Sequence, residues 1–369
     1  MTGSAMTGSA KKIAFLTNLP APYRFPIWDK MAEFMDLKVY FLMRERNWRK
    51  WSPPINKIWQ YEFLGLRSIR IREYDLIPQI FGVKRVLKGI DLVIIGSWEI
   101  PFYMRTIFYA KKSGIPIIQI YESIGASQRF KSGVIAYLRS LLIGKATLVV
   151  TFGAESTNAV VKMGVPHSSI LELFNPVDVS WFNSYAVNNR VTESKGHKYI
   201  YVGQLIERKN IFNLIDAFEQ IRTELDTLTL VGEGKLFALL KEYVRSKSLE
   251  GKVIFAGQKN QSDLASIYSK SNTLILPSEN EVWGLVVNEA LACGLHVVVS
   301  KKSGVSSFVE GMPGVYLCNT DSKSIASGMT SSRRSWNGYL DAPLIMKFTP
   351  ENFAEQLILG ISKINARIN

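Results

Sequence analysis

Two glutamates, Glu281 and Glu289, stand with seven residues between them around Gly284. An apolar run, Leu274 to Leu276, ends at Pro277-Ser278, and an acidic, irregular stretch follows. Gly284 then opens a run with apolar residues at Leu285, Val286, Ala290 and Leu291; Gly294 stops it, and a second apolar strand runs from His296 to Ser300. The pattern reads strand, loop, helix, tight stop, strand. Glu281 falls in the loop and Glu289 about a turn and a half into the helix. A loop at the carboxyl end of a strand and the amino end of a helix is where α/β sheets bind ligands, and free N–H groups there favour an anion. Carboxylates so placed need not carry protons. They can flank one elongated ligand, and they are good acceptors for sugar hydroxyls.

The elements that must position this stretch alternate along the chain. Strands are expected at Lys12–Asn18, Leu37–Leu42, Asp91–Gly96, Ile115–Tyr121, Thr147–Thr151 and Ile170–Phe174, with helices from Phe25, Pro101 and Ala154 between them. A polar stretch, 183–196, reads as a linker. Six further strands follow, at Lys198–Val202, Leu228–Val231, Lys252–Ala256, Thr273–Leu276, His296–Val299 and Gly314–Leu317. Strands separated by helical crossovers make parallel, Rossmann-like sheets. The expected division is a first domain over 11–182, closed by a last helix over 351–367, and a second over 183–350.

Length and composition agree. The chain has 369 residues, 47% of them hydrophobic, enough for two domains with large cores. The first ten residues repeat Met-Thr-Gly-Ser-Ala and are set aside. Two cysteines give no disulfide framework or metal pattern, and no apolar run approaches the roughly 18 residues a spanning helix needs. The expectation is a cytoplasmic protein, bound peripherally to the inner face of the cell membrane. The net charge of +14 is uneven: residues 1–182 hold 24 Lys and Arg against 13 Asp and Glu, and residues 183–369 hold 21 against 18. The basic first half suits an anionic membrane surface, a lipid diphosphate or nucleic acid. Arg44 to Trp51 interleaves cations with tryptophan, Arg67, Arg70 and Arg72 form another cluster, and Arg129 to Lys145 is amphipathic and basic. That last stretch fits either a helix packed on the sheet or membrane docking.

The fuller pattern, Pro277-Ser278-x-x-Glu281-x-x-Gly284-Leu285-Val286-x-x-Glu289-Ala290-x-Ala292-x-Gly294, resembles the E-x7-E signature of the family 4 retaining glycosyltransferases. The resemblance implies the GT-B fold, two Rossmann-like doubly wound domains facing a central cleft. It assigns the transferred sugar to Glu281, the donor ribose to Glu289, and backbone N–H groups to Gly284, Leu285 and Val286. Gly203-Gln204-Leu205-Ile206-Glu207-Arg208-Lys209-Asn210 resembles the family's G-R-L-x-x-x-K-G segment, whose cations hold the donor diphosphate. Lys209 matches the lysine; Gln204 occupies the arginine position, and Arg208 is placed to supply the missing charge. Phe255-Ala256-Gly257-Gln258 also resembles a family segment, which implies a place near the nucleobase for Gln258. The first loop carries Pro20 and Pro22 where the family has glycines, leaving Tyr23 and Arg24 as substitutes for phosphate contacts. Glu122 stands where several members carry a histidine, and it is either an acceptor-orienting residue or an ordinary strand end.

The chain contains no Asp-x-Asp. The expected reaction is therefore metal-free, with the leaving diphosphate met by Arg208, Lys209 and helix N–H groups. The resemblance implies a retaining glycosyltransferase that uses a UDP- or GDP-linked sugar and no cofactor. The basic half adds a lipid-linked glycan acceptor of bacterial surface polysaccharide assembly. A soluble small-molecule acceptor is the alternative among enzymes, and a basic nucleic-acid-binding protein the alternative outside them, though no nucleic acid is expected.

Overall fold

The computed structural model describes residues 11–44, 57–66, 69–71, 74–76, 81–128, 130–191 and 195–368. Arg46, Trp48, Arg49, Lys50, Trp51, Arg67, Arg72 and Arg129 lie outside the described residues, so the basic clusters read there are not placed.

The chain divides into two compact units. The first comprises the residues up to Phe152, Ser156–Leu173 and the residues from Pro350 onward; the second comprises Gly153–Glu155 and Phe174–Thr349.

The first unit holds seven parallel strands: β1 (Lys12–Thr17), β2 (Asp36–Phe41), β3 (Gln60–Phe63), β4 (Leu92–Ile95), β5 (Ile117–Tyr121), β6 (Leu148–Phe152) and β7 (Ile170–Leu173). Their order is β3-β2-β1-β4-β5-β6-β7. Every residue of β4, β5 and β6 is buried, as expected of parallel strands covered on both faces. The helices are α1 (Phe25–Ala32), α2 (Pro101–Lys112), α3 (Val134–Ile143), α4 (Gly153–Val161, whose first three residues belong to the second unit) and, far along the chain, Pro350–Ile368. An antiparallel hairpin, Ile69–Ile71 with Tyr74–Leu76, was not anticipated, nor was the half-exposed edge strand β3.

The second unit holds six parallel strands, β8 (Lys198–Val202), β9 (Thr227–Val231), β10 (Val253–Gly257), β11 (Thr273–Leu276), β12 (His296–Ser300) and β13 (Val315–Cys318), in the order β10-β9-β8-β11-β12-β13. This is the 3-2-1-4-5-6 arrangement of the Rossmann sheet, with its switch point between β8 and β11. Its helices are α5 (Val179–Asn189), α6 (Ile211–Ile221), α7 (Phe237–Ser246), α8 (Gln261–Tyr268), α9 (Leu285–Ala292) and α10 (Ser322–Arg334); the helix closing the first unit is then α11 (Pro350–Ile368). Tyr199, Leu214, Phe218, Leu230 and Met329 are fully buried in the core between β8, β9, α6 and α10. Two units of this kind make up the GT-B fold.

The unit boundary falls at Leu173/Phe174, ahead of the expected linker. The stretch 183–196 begins inside α5, which Asp178 starts by accepting a hydrogen bond from the Trp181 amide at 2.9 Å. Asn183 Nδ2 donates to the Ala292 carbonyl at 2.8 Å, holding α5 on α9. In the first unit, α3 starts at Val134, and Val134, Ile135, Tyr137 and Leu141 are exposed along it while Leu142 and Ile143 are buried.

Candidate functional site

At the switch point of the second unit, the loop after β8 and the loop after β11 meet. Asn210, which holds a left-handed backbone at φ 60°, donates from Nδ2 to the Pro277 carbonyl at 3.1 Å and to the Thr320 carbonyl at 2.6 Å. The Glu279 amide donates to the Arg208 carbonyl at 2.9 Å. Glu281 is fixed from its other side by a bridge to Ser303, with the Gly304 amide donating to the Glu281 carbonyl at 2.9 Å. Glu281 thus sits on a clamped segment.

Lys209 Nζ donates to Glu281 Oε2, and both side chains are nearly buried, 9% and 14% exposed. Arg208 is more open; its Nη1 stands 3.7 Å from the same carboxylate oxygen and donates to the Asn280 carbonyl at 3.0 Å. Burial pulls the Lys209 ammonium below its ordinary range, and the Glu281 charge offsets this only in part. Two cations therefore face one carboxylate, an excess of one positive charge suited to an incoming anion.

Gly284 ends the loop at φ 105°, where a Cβ would lie 2.6 Å from Leu276 Cδ2. Only glycine fits that turn, and it lets α9 begin immediately. The amides of Leu285 and Val286 occupy the first turn, where α-helical N–H groups lack intrahelical partners. Glu289 lies farther along α9 and accepts from Tyr268 Oη at 3.0 Å. Burial pushes the Glu289 carboxyl up to about 7, a rise that the Tyr268 hydrogen bond opposes. Gly203 and Gln204 belong to the same switch-point loop, and the Gln204 carbonyl accepts from Tyr201 Oη at 2.9 Å. The structure thus brings Gly203, Gln204, Arg208, Lys209, Glu281, Gly284, Leu285, Val286 and Glu289 to one edge of one sheet. Gln258 is exposed after the edge strand β10, two strands away from β8.

Four neighbours are given no role by the sequence. Asn210 follows the two cations directly, and its tolerance of a left-handed backbone was a usable signal. Ser278 and Ser303 carry buried hydroxyls without hydrogen-bond partners. Tyr268 is 21 residues from Glu289 and is tied to it only by the fold.

The first unit has its own switch point, between β1 and β4. Arg24, in the single turn Pro22–Arg24, pairs through Nη2 with Glu122 Oε1 just past β5, and its guanidinium lies 5.8 Å from the Tyr23 ring centroid. Arg24 is 13% exposed and Glu122 36%. Burial alone would lower the Arg24 guanidinium, but Glu122, helped by Tyr23, raises it overall. Asn18 accepts from Tyr103 Oη at 2.8 Å, and Gln119 donates from Nε2 to the Ser97 carbonyl at 2.9 Å.

Two parallel sheets, one with a glycine-started helix and two cations at its switch point, make a Rossmann-like α/β protein whose switch-point loop suits an anion. Residues 187–332 match the family model described as glycosyl transferases group 1. The chain is 32% identical over 120 residues to N-acetyl-alpha-D-glucosaminyl L-malate synthase of Bacillus anthracis, an alignment covering 32% of this chain and 31% of that one. It is 33% identical over 129 residues to the lipopolysaccharide 1,2-N-acetylglucosaminetransferase of Salmonella typhimurium, covering 32% and 34%. The chain thus spans about a third of the length of these curated relatives. Among solved structures, the lipopolysaccharide outer core galactosyltransferase WaaB in its apo form is similar with TM-score 0.71 at 16% identity, over 95% of this chain and 99% of that one. Anabaena HepE in complex with UDP is similar with TM-score 0.68 at 18% identity, over 97% and 98%. These two likenesses carry the fold.

Proposed function

We propose that the protein is a retaining glycosyltransferase that moves a sugar from a nucleotide-sugar donor to a glycan acceptor in surface polysaccharide or glycoconjugate assembly. The observation that carries this is the convergence of Arg208, Lys209 and Glu281 beside the first turn of α9, in a stretch matched by the glycosyltransferase family model. A UDP-linked sugar is the first donor to try, because HepE is similar in fold and was solved with UDP and with UDP-glucose; GDP-linked sugars come next.

In this reading the donor diphosphate takes Arg208, Lys209 and the amides of Leu285 and Val286, releasing Glu281 to hydrogen-bond the sugar. Glu289 accepts from the ribose. The departing phosphate oxygen takes the acceptor's proton on the face it leaves, so no protein nucleophile is required. Preorganised donors aimed at the leaving group supply the stabilisation, each worth roughly 2.7–4 kcal/mol at the transition state. Tyr23 is kept as a phosphate contact and Glu122 as the acceptor-orienting residue, although Arg24 already engages Glu122. The acceptor is taken as lipid-linked, with the basic first unit docked on an anionic membrane through the exposed apolar side chains of α3. Among the described residues no helix is long and apolar enough to cross a membrane.

The test is a thermal-shift screen over UDP- and GDP-sugars, followed by a transfer assay with and without excess chelator. One nucleotide sugar should raise the melting temperature, and transfer should persist in chelator. Protection by generic polyanions alone would overturn the donor reading, and full loss of transfer in chelator, restored by magnesium or manganese, would overturn the metal-free step.

A further inference from the structure

A second cationic hollow lies in the first unit, apart from the residues given to donor and acceptor. The chain leaving β5 runs through Gly125 and Gln128, turns at Lys131-Ser132-Gly133 and enters α3. With Ala136, Tyr137, Arg139 and Ser140 of α3, and Ala159, Lys162 and Met163 at the end of α4, this segment lines a cavity of about 560 Å³. Three of the lining side chains are cationic, and none is a carboxylate.

Arg139 is the unusual member. It is only 6% exposed, and guanidinium groups are rarely buried without a paired charge. One nitrogen, Nη2, donates to Gln128 Oε1 at 2.7 Å, and the guanidinium lies 5.9 Å from the Trp98 ring centroid. The contact to Gln128 neutralises nothing, since an amide carries no charge. The Arg139 Nε is buried and has no hydrogen-bond partner. Among the described residues, no carboxylate pairs with Lys131, Arg139 or Lys162. A buried donor left open on the wall of a cavity, with two lysines on the same wall, is an incomplete charge arrangement.

We propose that this cavity binds the phosphate group of an organic phosphate ester. A dianion meets three cations better than a carboxylate does, and a guanidinium offers its N–H groups in a fork that matches phosphate oxygens. The volume falls in the range of small-molecule sites, about 300–1,000 Å³, so the phosphate arrives with an ester group attached. Tyr137 and Met163 give that group an apolar wall. The ester is either a soluble sugar or glycerol phosphate or the phosphate head of a lipid. The site does not depend on the transferase reading.

The experiment uses the whole chain with two probes: glycerol 3-phosphate by titration calorimetry, and phosphatidylcholine vesicles with and without phosphatidic acid by co-sedimentation. Lys131 and Lys162 are exposed, so Lys131→Glu with Lys162→Glu should keep the wild-type melting temperature; the paired Gln substitutions serve as a milder version. Wild type and Lys209→Ala should bind at least one phosphate probe equally, and the Lys131/Lys162 variants should bind it about tenfold more weakly or worse. Binding of glycerol 3-phosphate identifies a soluble ester. Binding confined to the phosphatidic acid vesicles identifies a lipid head. The proposal is overturned if wild type binds neither probe, if it binds only vesicles and equally with or without phosphatidic acid, or if Lys209→Ala abolishes binding while the Lys131/Lys162 variants retain it.

Discussion

The two sheets share a strand order up to their switch points and place a cation–carboxylate pair at each, yet the pairs differ in kind. In the first unit Arg24 is held by a half-exposed Glu122 and by Tyr23, and its charge is more secure than in water. In the second unit Lys209 is slightly more buried, and its charge is less secure than in water despite Glu281. Arginine tolerates burial because its delocalised charge is weakly hydrated, whereas a buried lysine feels the full loss of its water. The first pair therefore reads as a lock, and the second as a site that gains when another anion arrives.

The largest effect that would sharpen this contrast is on Lys209. Lys209→Ala should cut transfer by roughly 10²–10³ and abolish thermal protection by the nucleotide sugar. Turnover and melting curves with and without donor check this; protection equal to wild type would break the contrast. Next, Arg24→Met should lower folding stability by about 1 kcal/mol or less, because the half-exposed Glu122 loses its partner but can take up water, while donor protection persists. Chemical denaturation beside the thermal-shift assay separates the two outcomes.

A smaller effect concerns Glu289. Its carboxyl titrates near 7 in the fold and near its ordinary value of 4.5 when unfolded. Between those values the unfolded chain gives up the proton first. The contribution of Glu289 to stability is thus fully present below about 4.5 and is lost as pH rises to about 7. Glu289→Gln should remove that loss, so its melting temperature relative to wild type should climb from pH 5 to pH 8. If the ionised carboxylate binds the ribose, nucleotide affinity of the wild type should rise through pH 7 and that of the variant should stay flat.

Much of the second unit was readable because its strands are apolar runs cut by glycine, proline or serine, and the predicted β8 and β11 match the observed strands residue for residue. The loops at its switch point were readable because cations, glycine and glutamate are unusual where strands end. Harder was β3, Gln60–Phe63: this edge strand is 4 residues long with little burial, too short for its polar–apolar alternation to stand out. The domain boundary was misplaced because α5 is polar over Asn183–Asn189 and looks like a linker. What makes it part of the second unit is tertiary: buried Phe182 and Ala186, and the Asn183 bond to the Ala292 carbonyl. The Arg24–Glu122 pair joins residues 98 apart and had no sequence signature beyond its two members.

The first unit is completed by α11, which follows the whole of the second unit in the chain. Gly360 packs so closely on β7 that a Cβ there would lie 2.7 Å from Leu171 Cδ2, and Lys30 of α1 reaches within 3.9 Å of Glu355. A ribosome making this chain therefore releases the sheet of the first unit long before the helix that covers it. The second unit, apart from the short Gly153–Glu155 segment, is one continuous stretch and can finish while the first still waits. The half made first becomes the half folded last, and in the interval its uncovered apolar surface is what a chaperone would meet.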